Sequence, residues 1–392
     1  MIQDQLAIEP MSELQERATV GTEAVYPGAP NERASETEVR PKRVYIVDPL
    51  QDPRWDEFLQ THPRASLFHS SGWLRALAVT YGYQPIAYTT CGFDEPLRNA
   101  AVLCQVESWL TGRRLVSLPF SDHCEWLVDK AKDTRAICGA LEQSIDRQRW
   151  RYIELRPLQP TGIPISLTHS QFQYTFHELD LQPSLETIFA NFHKSSIQRK
   201  IGRAEREGLT YCEGSSDLLL NHFYRLFRIT RARHRLPPPS RQWFANLIRY
   251  SGDGIKIRVA LKNERPVAAM ITVRYKDTMT YKYGCSDTRF NRFGSMHLLF
   301  WNAIQEAKNS GLHSFDFGRT DADQWGLITF KRRWGAAESV LNYSRYTAGA
   351  SSTHLFDLHA GTWKIKAAKF VLSRLPSSVV ARVGQALYRH VG

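Results

Sequence analysis

Three side chains in this sequence have the types and surroundings that chemistry needs: Lys331, Asp316 and Asp122. A lysine ammonium can stabilise negative charge that develops on an oxygen, and a carboxylate at the end of a strand can accept or direct a proton. By spacing alone, Lys331 better fits a surface position on a helix, because Arg332 and Arg333 follow it directly.

The two acids occupy different kinds of position. Asp316 lies between Phe315 and Phe317 on a short strand, so alternation places its carboxylate on the face opposite both rings. It could act as a base, orient a partner, or cap the following turn. Asp122 and His123 follow a strand and a proline, which predicts a loop at a strand end, where catalytic residues often lie.

Hydrophobic periodicity and turn residues predict the elements that position these side chains. The first half has strands at 44–47, 85–90, 100–109, 115–118, 152–155 and 174–181, and helices at 54–59, 72–79 and 133–149. In the second half, a long helix begins after the capping residue Ser184 and ends near Gly208. Helices at 218–234, 241–250, 294–310 and 325–334 follow, with strands at 255–261, 266–275, 278–285, 314–317 and 340–346.

Five sequence runs together resemble the FemAB/FemX family of GNAT-like acyltransferases. They are Phe68–Leu74, Leu118–His123, Tyr281–Asp287, Phe315–Arg319 and Gly326–Gly335. The Gly-Leu-x-x-Phe-Lys run at 326–331, with the Trp-Gly that follows, is the most specific of them. Within the family, the likeness is to proteins that accompany bacterial exopolysaccharide and exosortase systems, and it covers roughly residues 44–346.

The resemblance implies an α/β (α+β) fold of tandem GNAT-like domains, each a mixed, mostly antiparallel sheet flanked by helices. We expect a disordered N-terminal segment at 1–42, an N-terminal domain at 43–183 and a C-terminal acyltransferase domain at 184–350. A basic amphipathic helical tail is predicted at 351–392, which would either dock on an anionic membrane surface or pack on the second domain.

The resemblance also implies transfer of an acyl or aminoacyl group to an amine of a cell-envelope or exopolysaccharide precursor. In the peptidoglycan members the donor is aminoacyl-tRNA, but the helices at 184–250 are short for the coiled-coil arm of those members. The donor therefore stays open between aminoacyl-tRNA and acyl-CoA, and no resident cofactor is required. Two alternatives are an acetyl-CoA-dependent N-acetyltransferase of an amino sugar and a non-catalytic binding module.

The family's Phe-Lys pair falls on Phe330 and Lys331, so the resemblance assigns Lys331 the stabilisation of the oxyanion or of the leaving group. It assigns Asp122 the role of general base near the acceptor, with Asp316 as a further catalytic candidate.

Further residues are candidates for substrate binding. Arg319 could hold a phosphate or carboxylate as a bidentate donor. Tyr281 and Tyr283 alternate on a strand and are expected on one face, lining a pocket or the core. His297 opens a helix, where a capping or packed histidine is at least as frequent as a ligand-binding one.

Two basic stretches could bind anionic groups. In a GNAT fold, the coenzyme's pyrophosphate meets a helix N-terminus, and the corresponding residues here are Arg292, Gly294 and Ser295. Arg199 and Arg203 lie on the most basic helix and could contact the phosphates of tRNA, of a nucleotide sugar or of a lipid, or simply face solvent.

Composition narrows the class of partner and compartment. The formal net charge of +12 favours an anionic, nucleotide- or lipid-linked glycan precursor, tRNA or a membrane surface as partner. No nucleic-acid motif predicts DNA binding. Six cysteines without zinc-site spacing predict no metal and no disulfide framework. Without a signal peptide or an apolar run of about 20 residues, the expected location is the cytoplasm, with a peripheral position on the inner membrane face as a refinement.

Overall fold

Twelve strands join edge to edge in one sheet in the computed structural model. The model describes residues 42–109, 111–159, 165, 167–348 and 388–390. The segment predicted to be disordered lies outside the described residues apart from Lys42, and so does most of the predicted tail. From Lys42 onward the described residues form one compact unit, which includes the predicted domain boundary at residue 183.

The first half of the chain supplies five strands of one side of the sheet and three helices. The strands are β1 (Tyr45–Val47), β2 (Gln84–Thr89), β3 (Ala101–Ser108), β4 (Gly112–Val116) and β5 (Ile153–Leu155), followed by the long β6 (Thr168–Asp180). The helices are α1 (Trp55–Thr61), α2 (Ser71–Tyr81) and α3 (Ala131–Arg147).

The other strands and further helices lie in the described residues of the second half. The strands are β7 (Thr210–Gly214), β8 (Ile255–Lys262), β9 (Arg265–Tyr275), β10 (Thr278–Ser286), β11 (Ser314–Asp321) and β12 (Ala337–Thr347). The helices are α4 (Leu185–Asn191), α5 (Arg199–Arg206), α6 (Asp217–Arg233), α7 (Arg241–Ser251), α8 (Ser295–Asn309) and α9 (Trp325–Arg332).

The order across the sheet shows two matching halves. It runs β1-β2-β3-β4-β5-β12-β6-β11-β10-β9-β8-β7. Each half contains antiparallel strands and one parallel pair joined by a crossover helix, β4-α3-β5 in the first and β10-α8-β11 in the second. The mixed, mostly antiparallel tandem fold that the sequence predicts is therefore confirmed. β12 pairs with both β5 and β6, so the last strand of the second half closes the junction.

Hydrophobic side chains cover both faces of the second half-sheet. On one face, α6 and α7 pack against α2 of the first half through a shared core that includes Trp73, Phe223 and Trp243. On the other face, α5, α8 and α9 pack over Phe315 and Phe317. The alternation predicted around Asp316 holds, because both rings lie in this second core.

The long helix predicted from Ser184 to Gly208 is wrong as a single element. Phe192 adopts an extended conformation and ends α4, and a π-helical turn at Lys194–Gln198 then leads into α5. Two side chains explain the break. His193 accepts a hydrogen bond from the Ser196 amide as a new cap, and the Gln198 amide donates to the exposed carbonyls of Phe189 and Phe192.

Two residues near the C-terminus, Tyr388 and His390, contact the body of the protein. The Tyr388 hydroxyl accepts a hydrogen bond from Arg231 at 2.6 Å, and the Tyr388 carbonyl accepts one from Tyr83 at 2.7 Å. The His390 carbonyl accepts hydrogen bonds from Thr111 and Arg114. Among the described residues, no helix is both long and apolar enough to cross a membrane.

Candidate active site

The site forms where β10 and β11 separate. These parallel strands pair only over residues 278–280 and 314–316. A bulge in β11 follows, so Phe317 and Gly318 appear in the pairing register of neither neighbouring strand. Sheet pairing normally satisfies backbone polar groups, and its interruption leaves groups that side chains must satisfy.

Asp316 and Gly318 shape this opening. The Asp316 side chain is buried and its Oδ1 accepts a hydrogen bond from the Gly318 amide at 2.5 Å. Gly318 has φ +71°, and a Cβ there would lie 3.0 Å from Oδ2 of Asp122. A glycine is therefore required both by the left-handed backbone and by the close approach of Asp122.

Lys331 extends from α9 to the same place. It is 2% exposed, and its Nζ donates to the carbonyl of Gly318 at 2.7 Å and to that of Arg319 at 3.2 Å. Burial lowers the pKa of Lys331 to about 8, against the opposing attraction of Asp122 and Asp316. The ammonium is thus held by neutral carbonyls in a dry setting, which is a state in which it can stabilise a developing anion.

Asp122 meets a second lysine in the opening. Its Oδ2 accepts a hydrogen bond from Lys282 Nζ at 2.8 Å, and Lys282 also lies over the rings of Phe68 and Trp73. Burial raises the pKa of the Asp122 carboxyl, but the attraction of Lys282 outweighs it and the pKa ends below its usual value. Asp122 is therefore an ionised counter-ion for a buried lysine.

Arg319 lies at the margin of this cluster between two aromatic rings. Its guanidinium is 4.1 Å from the Tyr174 ring centroid and 5.2 Å from that of Tyr343. The Tyr343 hydroxyl donates to the Asp122 carbonyl at 2.6 Å, which ties the loop of Asp122 to β12. Nη1 of Arg319 is buried without a hydrogen-bond partner among the described residues, and its ion pair with Asp321 is long, at 3.6 Å. Donor capacity for an anion therefore remains at Arg319.

The expectation that Tyr281 and Tyr283 share one face is wrong. A bulge between them shifts the register of β10 against β9 by one residue. Tyr281 consequently packs on Phe300 of α8, and Tyr283 packs on Phe244 of α7, on the other side of the sheet. Their roles in substrate binding stay predictions.

Two more substrate-binding candidates lie in the second core, away from the Asp122–Lys282 pair. His297 packs against Phe330 and Trp334, and Phe330 also contacts Phe300. Burial, followed by the charge of Lys200, lowers the pKa of His297 to about 4, so the ring is neutral. These contacts are those of a packed aromatic cluster that orients α9 and hence Lys331.

The predicted phosphate-binding residues lie where α5 crosses the start of α8. Gly294 has φ +79°, and a Cβ there would come within 2.3 Å of the Lys200 carbonyl. Ser295 is buried. Arg292 lies over the ring of Phe293. Their role stays a prediction, since α5 already covers one side of this helix terminus.

The two arginines of α5 have different surroundings. Arg199 is exposed, whereas Arg203 forms an i,i+4 pair with Glu207 at 3.5 Å. The structure thus brings together Lys331, Asp122, Asp316 and Arg319, but not His297, Arg292, Arg199 or Arg203. In the described part of the chain, no cluster of three His, Cys, Asp or Glu side chains could hold a metal ion.

Sequence reasoning missed Lys282 and Glu178 as members of this region. Lys282 has a signal that could have found it, because a lysine between two tyrosines on a buried strand needs a partner for its charge. Glu178 lies in the middle of β6 and carried no such signal.

Comparisons with known proteins agree with this architecture. Residues 191–366 match the family model described as an acetyltransferase (GNAT) domain. A lipid II:glycine glycyltransferase of Staphylococcus saprophyticus is 38% identical over 61 residues, which are 14% of this chain and 15% of that relative. The match thus spans only a small part of the relative's length.

Two solved structures share the fold. The crystal structure of FemX superposes with a TM-score of 0.61 at 15% identity, covering 81% of this chain and 99% of FemX. A conserved protein of unknown function from Bacteroides thetaiotaomicron superposes with a TM-score of 0.55 at 10% identity, covering 78% of this chain and all of that one.

Residues 191–366 are therefore similar to a GNAT acetyltransferase domain, and the described part of the chain shares its fold with FemX.

Proposed function

We propose that this protein transfers an acyl or aminoacyl group from an activated donor to an amino group of a cell-envelope precursor. The name of the staphylococcal relative describes transfer of glycine to lipid II, and that chemistry is the model for the proposal. An exopolysaccharide precursor is the more specific acceptor that we propose, because the sequence runs quoted above resemble proteins of exopolysaccharide systems.

The buried ammonium of Lys331 is the observation that carries the proposal. Attack of an amine on an ester or thioester carbonyl produces a tetrahedral oxyanion, and a pre-positioned cation stabilises that charge most where water is excluded. Lys331 meets both conditions, since it is 2% exposed and held by the carbonyls of Gly318 and Arg319.

Neighbouring groups complete the reaction. The Asp122–Lys282 pair supplies a second cation close to Gly318. The Asp122 carboxylate offsets the repulsion between the ammonium groups of Lys282 and Lys331. Arg319, with Nη1 unpartnered, is suited to a phosphate or carboxylate of the donor or of the carrier. The resemblance assigns the general base to Asp122, but its depressed pKa makes this carboxylate a weak base, so we do not assign it the removal of the amine proton.

The carrier follows from charge. A nucleotide- or lipid-linked glycan precursor bears phosphates, and a net charge of +12 attracts such groups. We propose that the protein works in the cytoplasm at the inner membrane face, where a lipid-linked acceptor would be presented, and that it needs no resident cofactor.

The experiment offers the purified full chain each donor with each acceptor. Donors are a mixture of aminoacyl-tRNAs and acetyl-CoA; acceptors are lipid II and an amino-sugar nucleotide. Mass spectrometry then detects the new amide. Amide formation from aminoacyl-tRNA supports the proposal, whereas product from acetyl-CoA and the amino sugar alone would replace it with an N-acetyltransferase.

A matched pair of variants assigns the chemistry to this site. Lys331→Met removes the buried ammonium, and the turnover number should fall by about 10²- to 10³-fold. Arg333→Ala removes an exposed cation two residues along the same chain segment and should leave the turnover number unchanged. Equal activity of both variants would show that another residue stabilises the oxyanion.

A further inference from the structure

A cavity of about 270 Å³ lies on the side of Asp316 away from Phe315 and Phe317. Residues 63–68 form one wall, and β6, β10 and β11 form another through side chains that include Phe176, Thr280 and Asp316. His123 also lines the cavity. Asp316 therefore lines this cavity and also acts electrostatically on Lys331.

The cavity is acidic. Asp316, Glu178, Glu125 and Asp277 line it. Arg64, the one arginine among its lining residues, pairs with Asp129 outside the cavity at 2.7 Å and lies 3.9 Å from Glu125. Burial raises the pKa of the Glu178 carboxyl, so a cation that entered beside it would relieve that cost. Phosphate-bearing groups are disfavoured here, whereas an ammonium is favoured.

His123 is the second, independent feature of the cavity. The residue is 7% exposed, and Phe68 and Phe176 hold its ring edge-to-face. Its Nε2 lies 3.8 Å from Oδ2 of Asp316, whereas its buried Nδ1 has no hydrogen-bond partner among the described residues. A buried polar atom without a partner is uncommon and calls for a ligand or a chemical role.

The charge of Asp316 bears on which nitrogen of His123 is available. At 3.8 Å the carboxylate lies outside hydrogen-bond distance of Nε2, but its negative charge favours a proton on that nitrogen, which leaves the Nδ1 lone pair as acceptor. His123 thus combines a nearby carboxylate with a buried, unpartnered nitrogen.

We propose that this cavity receives the amine-bearing end of the acceptor as an ammonium, which donates a hydrogen bond to His123 Nδ1 and loses its proton there during turnover. Asp316 is a positioning residue for His123, and Glu178 supplies the charge that attracts the ammonium. The proposal rests on the proposed function and names the part of the acceptor that this site binds.

The reaction step balances. The ammonium R–NH₃⁺ gives one proton to His123, and the neutral amine attacks the donor carbonyl as a new C–N bond forms. The second proton leaves the nitrogen for the departing oxygen or sulfur as the C–O or C–S bond breaks. The products are the amide and the protonated leaving group, and His123 returns its proton to solvent.

The size of the cavity limits what enters. Sites that enclose whole drug-sized ligands usually have about 300–1,000 Å³, so about 270 Å³ suits an aminoalkyl side chain rather than a nucleotide or a lipid carrier. The phosphates of the carrier would stay outside the cavity.

The binding test needs no turnover. Nα-acetyl-L-lysine amide is the cationic probe, and its Nε-acetylated form is the matched neutral control. Calorimetry should show at least tenfold tighter binding of the cationic probe to the wild-type chain. Glu178→Gln should abolish that preference, and Asp253→Asn, in the wall of another cavity, should keep it. Equal binding of the two probes, or no effect of Glu178→Gln, would overturn the proposal.

The hydrogen bond is tested by ¹⁵N-histidine NMR. Binding of the cationic probe should shift the Nδ1 resonance of His123, assigned with a His123→Gln variant whose fold is checked by circular dichroism. An unchanged Nδ1 signal on saturation with probe would contradict the proposal. If His123→Gln fails to fold, His123→Asn supplies the assignment. If no donor yields product while the probe binds and shifts Nδ1, the proposed function fails but the amine site stands.

Turnover tests the role of His123. The titratable groups around it are Asp316 of β11, Glu178 of β6, His69, and its chain neighbours Asp122 and Glu125. With these unchanged, His123→Gln should lower the turnover number about 100-fold, with KM for the acceptor within threefold. An unchanged turnover number would show that another group takes the proton.

Discussion

Two buried cations in the second half of the molecule have opposite surroundings. Arg258, on β8, is bonded to Glu213 at 2.5 Å and to Glu306 at 2.6 Å, and Lys256 also contacts both carboxylates. Lys331 lies on α9, and among the described residues its Nζ donates hydrogen bonds to two backbone carbonyls, those of Gly318 and Arg319. Both lysine and arginine are buried, but only the arginine has a carboxylate at bonding distance.

The difference appears in their acid–base behaviour. Burial lowers the pKa of Arg258, but the interactions with Tyr211, Glu306 and Glu213 outweigh this effect, so the pKa is raised. For Glu306, burial raises the pKa, but the hydrogen bonds and charges of Arg258 and Lys256 lower it to about 2. Burial instead dominates at Lys331 and lowers its pKa to about 8. The charge of Arg258 is paired with carboxylates within the fold. The charge of Lys331 has no carboxylate at bonding distance among the described residues, so it remains available to stabilise negative charge on a substrate.

Breaking the satisfied network should have the largest effect on stability. Arg258→Met leaves Glu213 and Glu306 with Lys256 as their remaining cation, and we expect a loss of about 4 kcal/mol in the free energy of unfolding. Urea denaturation measures it. Arg274 is an exposed arginine that lines the same cavity as Arg258. Arg274→Met is therefore the control and should change the free energy of unfolding by less than about 0.5 kcal/mol. Equal stability of the two variants would show that the network contributes nothing.

The unsatisfied lysine should appear in the pH dependence of stability. In the unfolded chain Lys331 keeps its proton to about pH 10.5, but in the folded chain only to about 8. The folded state thus binds fewer protons in this window, and stability rises with pH. Between pH 8 and 10 the wild type should gain about 2 kcal/mol relative to Lys331→Met. Parallel stability curves for the two proteins would mean that the ammonium is not destabilised by burial.

The smallest effect separates backbone strain from site geometry. Gly318→Ala and Gly82→Ala both place a side chain at positive φ, +71° and +73°, and each should cost about 1 kcal/mol of stability. Only at Gly318 does the new methyl group meet Asp122, at 3.0 Å, since nothing lies within 4 Å at Gly82. Turnover should therefore fall several-fold for Gly318→Ala and stay unchanged for Gly82→Ala; equal turnover would argue against a catalytic position for Asp122.

Much of the fold was accessible from the sequence because period and turn signals act locally. The predicted strands at 255–261 and 266–275, for example, are present as β8 and β9, and a tight turn joins them with Asn263 at φ +49° and Glu264 at φ +62°. What failed depended on single side chains or on distant partners. The break at Phe192 needs the hydrogen bonds of Gln198, and the one-residue bulge between Tyr281 and Tyr283 inverts which face each ring occupies.

The site was only partly accessible for the same reason. Lys331, Asp122, Asp316 and Arg319 do lie together, and the run around Lys331 singled it out. The ion pair of Asp122 with Lys282 joins residues that are 160 positions apart. A local sequence pattern does not predict contacts between residues so far apart in the chain. The contact between His123 and Asp316 was unpredictable for the same reason.

The central position of β12 bears on how the chain is made. Its partners β5 and β6 are synthesised long before it, so the half-sheets present two open edges on the ribosome until residues 337–347 emerge. Long-range strand pairing is slow, and exposed edges invite association between chains. Nascent copies on one messenger would therefore be vulnerable to mutual pairing through those edges, and a chaperone that shields strand edges should raise the yield of native protein.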